Sequence, residues 1–118
     1  MVKKSYVPTE AEEQFIVVDF CRLYRIRIVH IPNEGKRTAW TGRQLGQLGL
    51  SKGFPDLFIP TANKGYHGML IELKRTKGSK TTEEQLEWIT YLNNSGYYAV
   101  ICKGADSAIH EIKKYFSY

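Results

Sequence analysis

Two short segments of this chain carry acidic and basic side chains at a spacing that suits metal-assisted chemistry. Asp56 precedes one apolar run, and Glu72 and Lys74 lie within a second run over residues 69–74. Because side chains alternate between the two faces of a strand, Glu72 and Lys74 share one face of the second run. A carboxylate in so apolar a strand is costly to desolvate unless a partner compensates its charge. The pattern therefore indicates a functional cluster of charges.

The loop between the two runs predicts a hairpin. If that hairpin is symmetric about Lys64, Asp56 lies opposite Glu72, with the Cβ atoms roughly 5 Å apart. Two adjacent carboxylates repel each other unless they hold a cation, and oxygen ligands favour Mg²⁺ or Mn²⁺. Lys74 is then close enough to contact a substrate phosphate or an attacking water.

Each segment also has an ordinary structural explanation. Residues 53–56 read Gly-Phe-Pro-Asp, and Pro and Asp are favoured in turns for local reasons. Glu72 and Lys74 alone equally suit a salt bridge on an edge strand. What favours the functional interpretation is the combination: an Asp at a strand start, fifteen intervening residues, then an acidic residue, an apolar residue and a lysine.

The first element that must position these residues is a helix that begins after Thr9. Thr9 and Glu12 have the spacing of a capping box, and helical content extends to about Arg25. Steps of about 100° per residue place Glu10 on the inward face and Glu13 beside it. The expected inward row is Glu10, Gln14, Val17, Cys21 and Tyr24.

The rest of the chain alternates apolar runs with turn signals. Runs rich in β-branched residues predict strands, and helical periodicity predicts further helices. In chain order we expect strand 26–31, a short helix over 43–48 ended by Gly49, strands 56–59 and 69–74, a helix from Thr81 or Thr82 to about Asn94, strand 97–102 and a surface helix over 106–116. Elements in this order predict an α/β fold, in which helices cover the faces of a mixed sheet.

Composition limits the class of protein. The chain has 118 residues, of which 42% are hydrophobic, and this predicts a single domain over residues 1–118 with one core. It contains no run of about 18 uncharged apolar residues and no apolar signal core near its start. We therefore expect a soluble, intracellular protein. The formal net charge of +5 favours a polyanionic partner.

The sequence does not contain the residue patterns of a disulfide, a zinc site or a P-loop. Cys21 and Cys102 lie far apart in apolar surroundings, which is typical of small buried hydrophobes and not of a disulfide or a zinc site. The histidines lie in different predicted elements without metal-ligand spacing. Residues 42–46 lack the Gly-Lys-Ser/Thr ending of a P-loop, so the sequence does not predict nucleotide hydrolysis.

Taken together, the motifs resemble a known family of nucleases. Pro55-Asp56 followed by Glu72-Leu73-Lys74 is similar to the PD-(D/E)XK signature. Longer strings resemble the virus-type replication-repair nuclease (VRR-NUC) domain in its short, stand-alone, phage-like form: Gly53-Phe54-Pro55-Asp56-Leu57, Ile71-Glu72-Leu73-Lys74-Arg75 and Thr82-Glu83-Glu84-Gln85-Leu86-Glu87-Trp88. The resemblance extends from Glu10 to the last helix. It implies a restriction-endonuclease-like PD-(D/E)XK core, with a mixed central β-sheet flanked by α-helices.

The resemblance implies roles for the central cluster of charges. Asp56 and Glu72 would be the metal-binding carboxylates, the main-chain carbonyl of Leu73 would be a further ligand, and the metal would be Mg²⁺ or Mn²⁺. Lys74 would orient the attacking water or stabilise the negative charge that develops on the phosphate. Hydrolysis of this type requires no covalent enzyme intermediate.

Two helical residues would complete the catalytic set. Glu10 matches the acid of the family's first helix, and Glu13 is the alternative. Gln85 matches a glutamine that lies beside the catalytic lysine in the family. From spacing alone, Gln85 equally suits the last residue of a capping box that begins at Thr82.

Mostly basic residues lie on either side of the acidic motif in the sequence. Each basic residue suits a DNA phosphate contact that adds salt-dependent, sequence-independent affinity, although any one of them equally suits a solvated loop. The predicted DNA-binding residues are Asn33, Lys36, Arg37, Arg43, Lys52, Arg75 and Lys77. The resemblance further implies a symmetric homodimer, because branched DNA has two strands to cut.

These inferences predict a metal-dependent endonuclease that hydrolyses phosphodiester bonds in Holliday junctions or related branched DNA. Its expected location is the cytoplasm of a bacterium or of a phage-infected host, with no membrane partner. One alternative is a sequence-specific, restriction-like endonuclease. A second alternative, from a different class, is a non-catalytic DNA-binding module of the same fold.

Overall fold

A four-stranded sheet with helices on both faces forms the centre of the protein, as its sequence predicts. The computed structural model describes residues 6–32 and 39–118, with residues 39–41 described by their backbone alone. The elements in chain order are α1 (Glu10–Leu23), β1 (Val29–His30), α2 (Ala39–Gln47), β2 (Leu57–Ile59), β3 (Met69–Lys74), α3 (Glu83–Asn94), β4 (Tyr98–Lys103) and α4 (Ala105–Phe116). No helix in this described part is long and apolar enough to cross a bilayer.

The strands lie side by side in the order in which they occur in the chain. β1 and β2 are antiparallel, β2 and β3 are antiparallel, and β3 and β4 are parallel, so the sheet is mixed. Ile59 pairs with Met69, which confirms the hairpin predicted around Lys64. β3 lies between two neighbouring strands and all six of its residues are buried, which explains its apolar sequence.

Alternation along β3 separates two hydrophobic clusters on opposite faces of the sheet. Ile71 packs with residues of α1 and α4, Ile112 among them. Leu70 packs on the other face with Leu92 of α3. Glu72 follows Leu70 on the α3 face, where its side chain is bonded by a residue of α3. The predicted division of β3 into two faces is therefore confirmed.

The starts of two helices are as predicted. In α1, Glu12 N–H donates to Thr9 Oγ1 and Thr9 N–H donates to the Glu12 carboxylate, which completes a capping box. In α3, Thr82 and Gln85 form the same reciprocal pair. Both boxes satisfy amides that the helix itself leaves without partners.

Two elements, β1 and α2, differ most from the predictions, whereas β2, β4 and α4 differ by one residue at one or both ends. β1 has only the residues Val29–His30. The turn after α1 takes up the first predicted strand position, since Arg25 has φ of 56° and Ile26 N–H donates to the carbonyl of Cys21. α2 begins at Ala39, earlier than predicted. Gly42 in its first turns lowers intrinsic helix propensity by about 1 kcal/mol, so local propensity does not favour this earlier start.

The buried face of α1 also differs in detail from the prediction. Its buried residues are Glu13, Val17 and Cys21, at successive intervals of four. Tyr24, predicted to point inward, is 47% exposed because the helix ends at Leu23 and helical spacing no longer applies to it. Glu13, predicted to flank the inward row, is part of it.

The cysteines are free and buried in the larger hydrophobic cluster. Burial raises the pKa of the Cys21 and Cys102 thiols to about 11. Because the thiolate is the reactive form, we expect the folded protein to react with a disulfide reagent at about pH 8 at least a hundredfold more slowly than the urea-unfolded protein. Absorbance of the released thiol reports both rates. Rapid labelling of one thiol in the folded protein would contradict this expectation.

Candidate active site

Asp56 lies immediately before β2 and is held by backbone groups from both sides. Its main-chain carbonyl accepts the N–H of Ile31 at 2.7 Å. Its side-chain Oδ2 accepts the N–H of Leu73 in β3 at 3.1 Å. The register of β2 with β3 places Leu57 opposite Ile71, so Asp56 comes next to Glu72 as predicted. Only 4% of Asp56 is exposed, and the bond from the Leu73 N–H restrains its carboxylate.

Glu72 lies within β3, which has a neighbouring strand on each side, and only 1% of Glu72 is exposed. Its Oε2 atom accepts a hydrogen bond from Gln85 Nε2 at 3.2 Å and lies 3.5 Å from Lys74 Nζ. A buried carboxylate requires such partners, since an unpaired charge in the interior is strongly destabilising. The structure thus brings Glu72, Lys74 and Gln85 into one contact group on the α3 face of the sheet.

Gln85 both completes the predicted capping box of α3 and contacts the buried carboxylate of β3. Its Oε1 accepts the Thr82 N–H at 2.9 Å, and its own N–H donates to Thr82 Oγ1 at 3.2 Å. Because Oε1 is used by the capping box, the amide must direct Nε2 away from the helix end, and Nε2 donates to Glu72. One side chain therefore joins the start of α3 to the carboxylate of β3.

A cleft of about 500 Å³ opens between the start of α1 and the end of β1. Its lining includes Glu10 and Asp56, so the structure brings these two predicted acids to one cavity. Glu13 is directed elsewhere: its Oε1 accepts the N–H of Ala105 at the start of α4, at 3.3 Å. Of the two candidate acids on this helix, Glu10 is the one that lines the cleft together with Asp56.

Further residues of this cleft were not singled out from the sequence. His30 and Arg22 also line it. His30 reaches the cleft because β1 pairs with β2, with His30 opposite Leu57. That pairing joins segments that are distant in the sequence, and no local signal identifies it. The apolar side of the cleft comes from Phe15 and Val18 of α1.

The charged side chains at the end of the β2–β3 hairpin favour a bound cation. With both carboxyl groups ionised, Asp56 and Glu72 supply two negative charges and Lys74 supplies one positive charge. Within the described residues, no group of three or more His, Cys, Asp and Glu side chains has the arrangement of a metal site. Asp56 and Glu72 instead supply two carboxylates, a number that can hold a hard divalent cation together with water ligands. The main-chain carbonyl of Leu73 stays a predicted ligand.

The predicted DNA-binding residues are spread over several elements. Arg43 is exposed on α2, and Lys77 is exposed in the loop after β3. Lys52 is exposed, and its Nζ lies 3.9 Å from the carboxylate of Glu84. The Arg75 guanidinium donates instead to main-chain carbonyls near the start of α1. The predicted contacts that lie outside the described residues are Asn33, Lys36 and Arg37.

Comparison with known proteins agrees with this geometry. The sequence profile of the VRR-NUC domain matches residues 9–106. A solved structure described as a VRR-NUC domain protein has a TM-score of 0.82 at 31% sequence identity, over 96% of this chain and 92% of that chain. No curated protein matches the chain. The profile match includes α1, both strand motifs and α3, and the chain belongs to the VRR-NUC family, whose domains are of the nuclease type with a PD-(D/E)XK-like fold.

Proposed function

We propose that the protein is a divalent-metal-dependent endonuclease that hydrolyses phosphodiester bonds in Holliday junctions or related branched DNA. The observation that carries this proposal is that Asp56, which lines the cleft, lies next to Glu72, whose carboxylate pairs with Lys74, in a chain of a nuclease family. Buried acids next to a buried lysine are costly for folding, so their presence together supports a chemical role.

Asp56, Glu72 and the Leu73 carbonyl are the groups that would hold Mg²⁺ or Mn²⁺. When bound there, such an ion lowers the pKa of a coordinated water and offsets negative charge on the scissile phosphate. The protein's own part is to orient the ligands. The Leu73 N–H restrains the carboxylate of Asp56, and Gln85 restrains the carboxylate of Glu72.

Lys74 and Glu10 act on the substrate side of the proposed site. The ammonium of Lys74 would contact the scissile phosphate or the attacking water, and its pairing with Glu72 holds it near the carboxylates. Glu10 shares the cleft with Asp56, where it would hold a water molecule or a proton at the opposite wall. These groups do not form a covalent bond with DNA, so hydrolysis proceeds by direct attack of water.

Branched DNA and a homodimer are the more specific parts of the proposal. They rest on the resemblance to stand-alone phage-like domains and on the number of cuts required. Resolving a junction requires one cut in each of two strands, which suits a dimer with two active sites. The net charge of +5 supports binding to a polyanion. Light scattering on the free protein tests the dimer, and a monomer at micromolar concentration would contradict it.

The enzyme is tested with labelled four-way junction, flap and linear duplex DNA, each incubated with Mg²⁺, Mn²⁺ or EDTA. We expect cleavage of the junction with either metal, no cleavage with EDTA, and a rate on linear duplex at least about tenfold lower. Cleavage of one linear sequence that needs no branch would identify a restriction-like enzyme instead. DNA binding without cleavage under every metal condition would identify a non-catalytic module.

A further inference from the structure

Arg75 directly follows β3 and makes long-range contacts with the segment before α1. Its Nε donates to the carbonyl of Pro8 at 3.1 Å, and its Nη2 donates to the carbonyl of Val7 at 3.2 Å. The guanidinium is planar and presents donors in a fixed fork, so it suits two carbonyls at a fixed spacing. Arg75 is itself restrained, because its own N–H donates to Ser79 Oγ at 3.2 Å.

The two carbonyls lie next to the residue that begins α1. Pro8 is followed by Thr9, which caps the helix, and Glu10 is the first helical residue. Arg75 in turn follows Lys74, the last residue of β3. The guanidinium therefore connects the segment that carries Glu10 to the strand that carries Glu72 and Lys74.

A second connection holds α1 one turn further along. Glu13 is 6% exposed and its Oε1 accepts the N–H of Ala105. The neighbouring Gly104 N–H donates to the carbonyl of Lys74 at 2.8 Å. Glu10 thus lies between two attachments, one on each side, and both lead to the ends of the parallel strands β3 and β4.

We infer that Arg75 is a positioning residue, which holds Glu10 in the cleft that Asp56 also lines. The inference rests on the proposed nuclease function. It also reassigns Arg75, whose sequence position suits a DNA phosphate contact. In the structure Nε and Nη2 each donate to a main-chain carbonyl, so the guanidinium contacts the protein itself.

The test compares Arg75→Ala and Arg75→Lys with two other variants. Lys77→Ala serves as the comparator for a phosphate contact, because Lys77 is exposed in the loop that follows β3. Arg27→Ala is the matched control, because Arg27 is exposed between α1 and β1. Three quantities are measured for each variant: the junction cleavage rate at saturating protein with Mg²⁺, the dissociation constant for the same DNA in EDTA, and amide hydrogen exchange at the start of α1.

For Arg75→Ala we expect the cleavage rate at saturation to fall about 10- to 100-fold, because displacement of about 1 Å costs that much. The dissociation constant should change less than about threefold. The amides of Glu12 and Glu13, which are bonded to Thr9, should exchange at least about tenfold faster. Arg75→Lys should recover part of the rate, and Arg27→Ala should match the wild type.

A different pattern would overturn the inference. If Arg75 contacts DNA phosphate, Arg75→Ala will behave as Lys77→Ala does: weaker binding, a salt slope lower by about one, and an unchanged rate at saturation. If the wild-type protein does not cut DNA, the proposed function fails, while exchange at Glu12 and Glu13 still tests the attachment. Unchanged exchange there would reject the positioning role whatever the activity.

Discussion

Lys74→Met is expected to reduce the rate of junction cleavage by about 10²–10³-fold while it leaves DNA binding within about threefold. The Lys74 side chain is 9% exposed, and its Nζ lies 3.5 Å from the carboxylate of Glu72. Methionine keeps most of the buried aliphatic volume and removes the charge. A buried ammonium contributes little to the outer contacts that hold DNA, so the loss should appear in the rate at saturation.

The matched control for this change is Lys103→Met. Lys103 lies on β4 directly beside Lys74 in the parallel register, but its side chain is exposed. The Lys103→Met protein should cleave the junction at a rate within about threefold of the wild-type rate, since an exposed charge is screened by solvent. Equal losses in the two lysine variants would show that general positive charge matters and not the ammonium beside Glu72.

Asp56→Asn gives a second, independent measure of the same site. The amide oxygen of asparagine can still accept the Leu73 N–H, so the local backbone is retained while one negative charge is removed. Cleavage should fall by a comparable factor, and a melting curve checks that the fold persists. An Asp56→Asn protein that still cuts at the wild-type rate would remove Asp56 from the proposed metal site.

Gly53→Ala is expected to have the largest effect on stability, with a loss of about 2–5 kcal/mol and a melting temperature lower by about 10–20 °C. Gly53 has φ of 88°, and a Cβ atom there would lie 2.7 Å from the Glu84 backbone carbon and 2.8 Å from the Gln85 backbone N. Backbone atoms at the start of a helix cannot move away easily. The loop that carries Asp56 would therefore separate from α3, and the cleavage rate should fall with stability.

Gly65→Ala distinguishes the two causes of this loss. Gly65 has φ of 84°, close to that of Gly53, but a Cβ atom there meets nothing within 4 Å. The Gly65→Ala protein should lose only the free energy that a positive φ costs a residue with a Cβ atom, about 1–2 kcal/mol, and should keep full activity. Thermal unfolding followed by circular dichroism measures both variants. Similar losses in the two proteins would mean that close approach to α3 has no energetic importance.

The parts of the fold that depend on local patterns could be predicted from the sequence. β3 has the predicted bounds because an apolar run between turn residues defines it. The proximity of Asp56 to Glu72 follows from the hairpin, since a symmetric loop determines the register of both strands. The capping residues Thr9 and Thr82 were identifiable because their partners lie three positions away.

The remaining contacts could not be predicted because they join residues distant in the sequence. Glu13 bonds to the start of α4 across 92 positions, and Arg75 bonds to Pro8 across 67. A charged residue on a helix or after a strand has no local feature that distinguishes a buried structural partner from a contact with solvent or DNA. The place of His30 in the cleft likewise depends on the pairing of β1 with β2.

The double use of the Gln85 side chain restricts which amino acids this position can accept. A capping box is completed equally well by Gln or Glu, so the helix alone would tolerate either. Glu72 would not, because a glutamate at this position would lose the Nε2 donor and bring one more negative charge to a buried carboxylate. Glutamine at position 85 is therefore required by Glu72 of the neighbouring strand and not by the capping of α3, and the requirement holds in any variant of this chain that keeps Glu72.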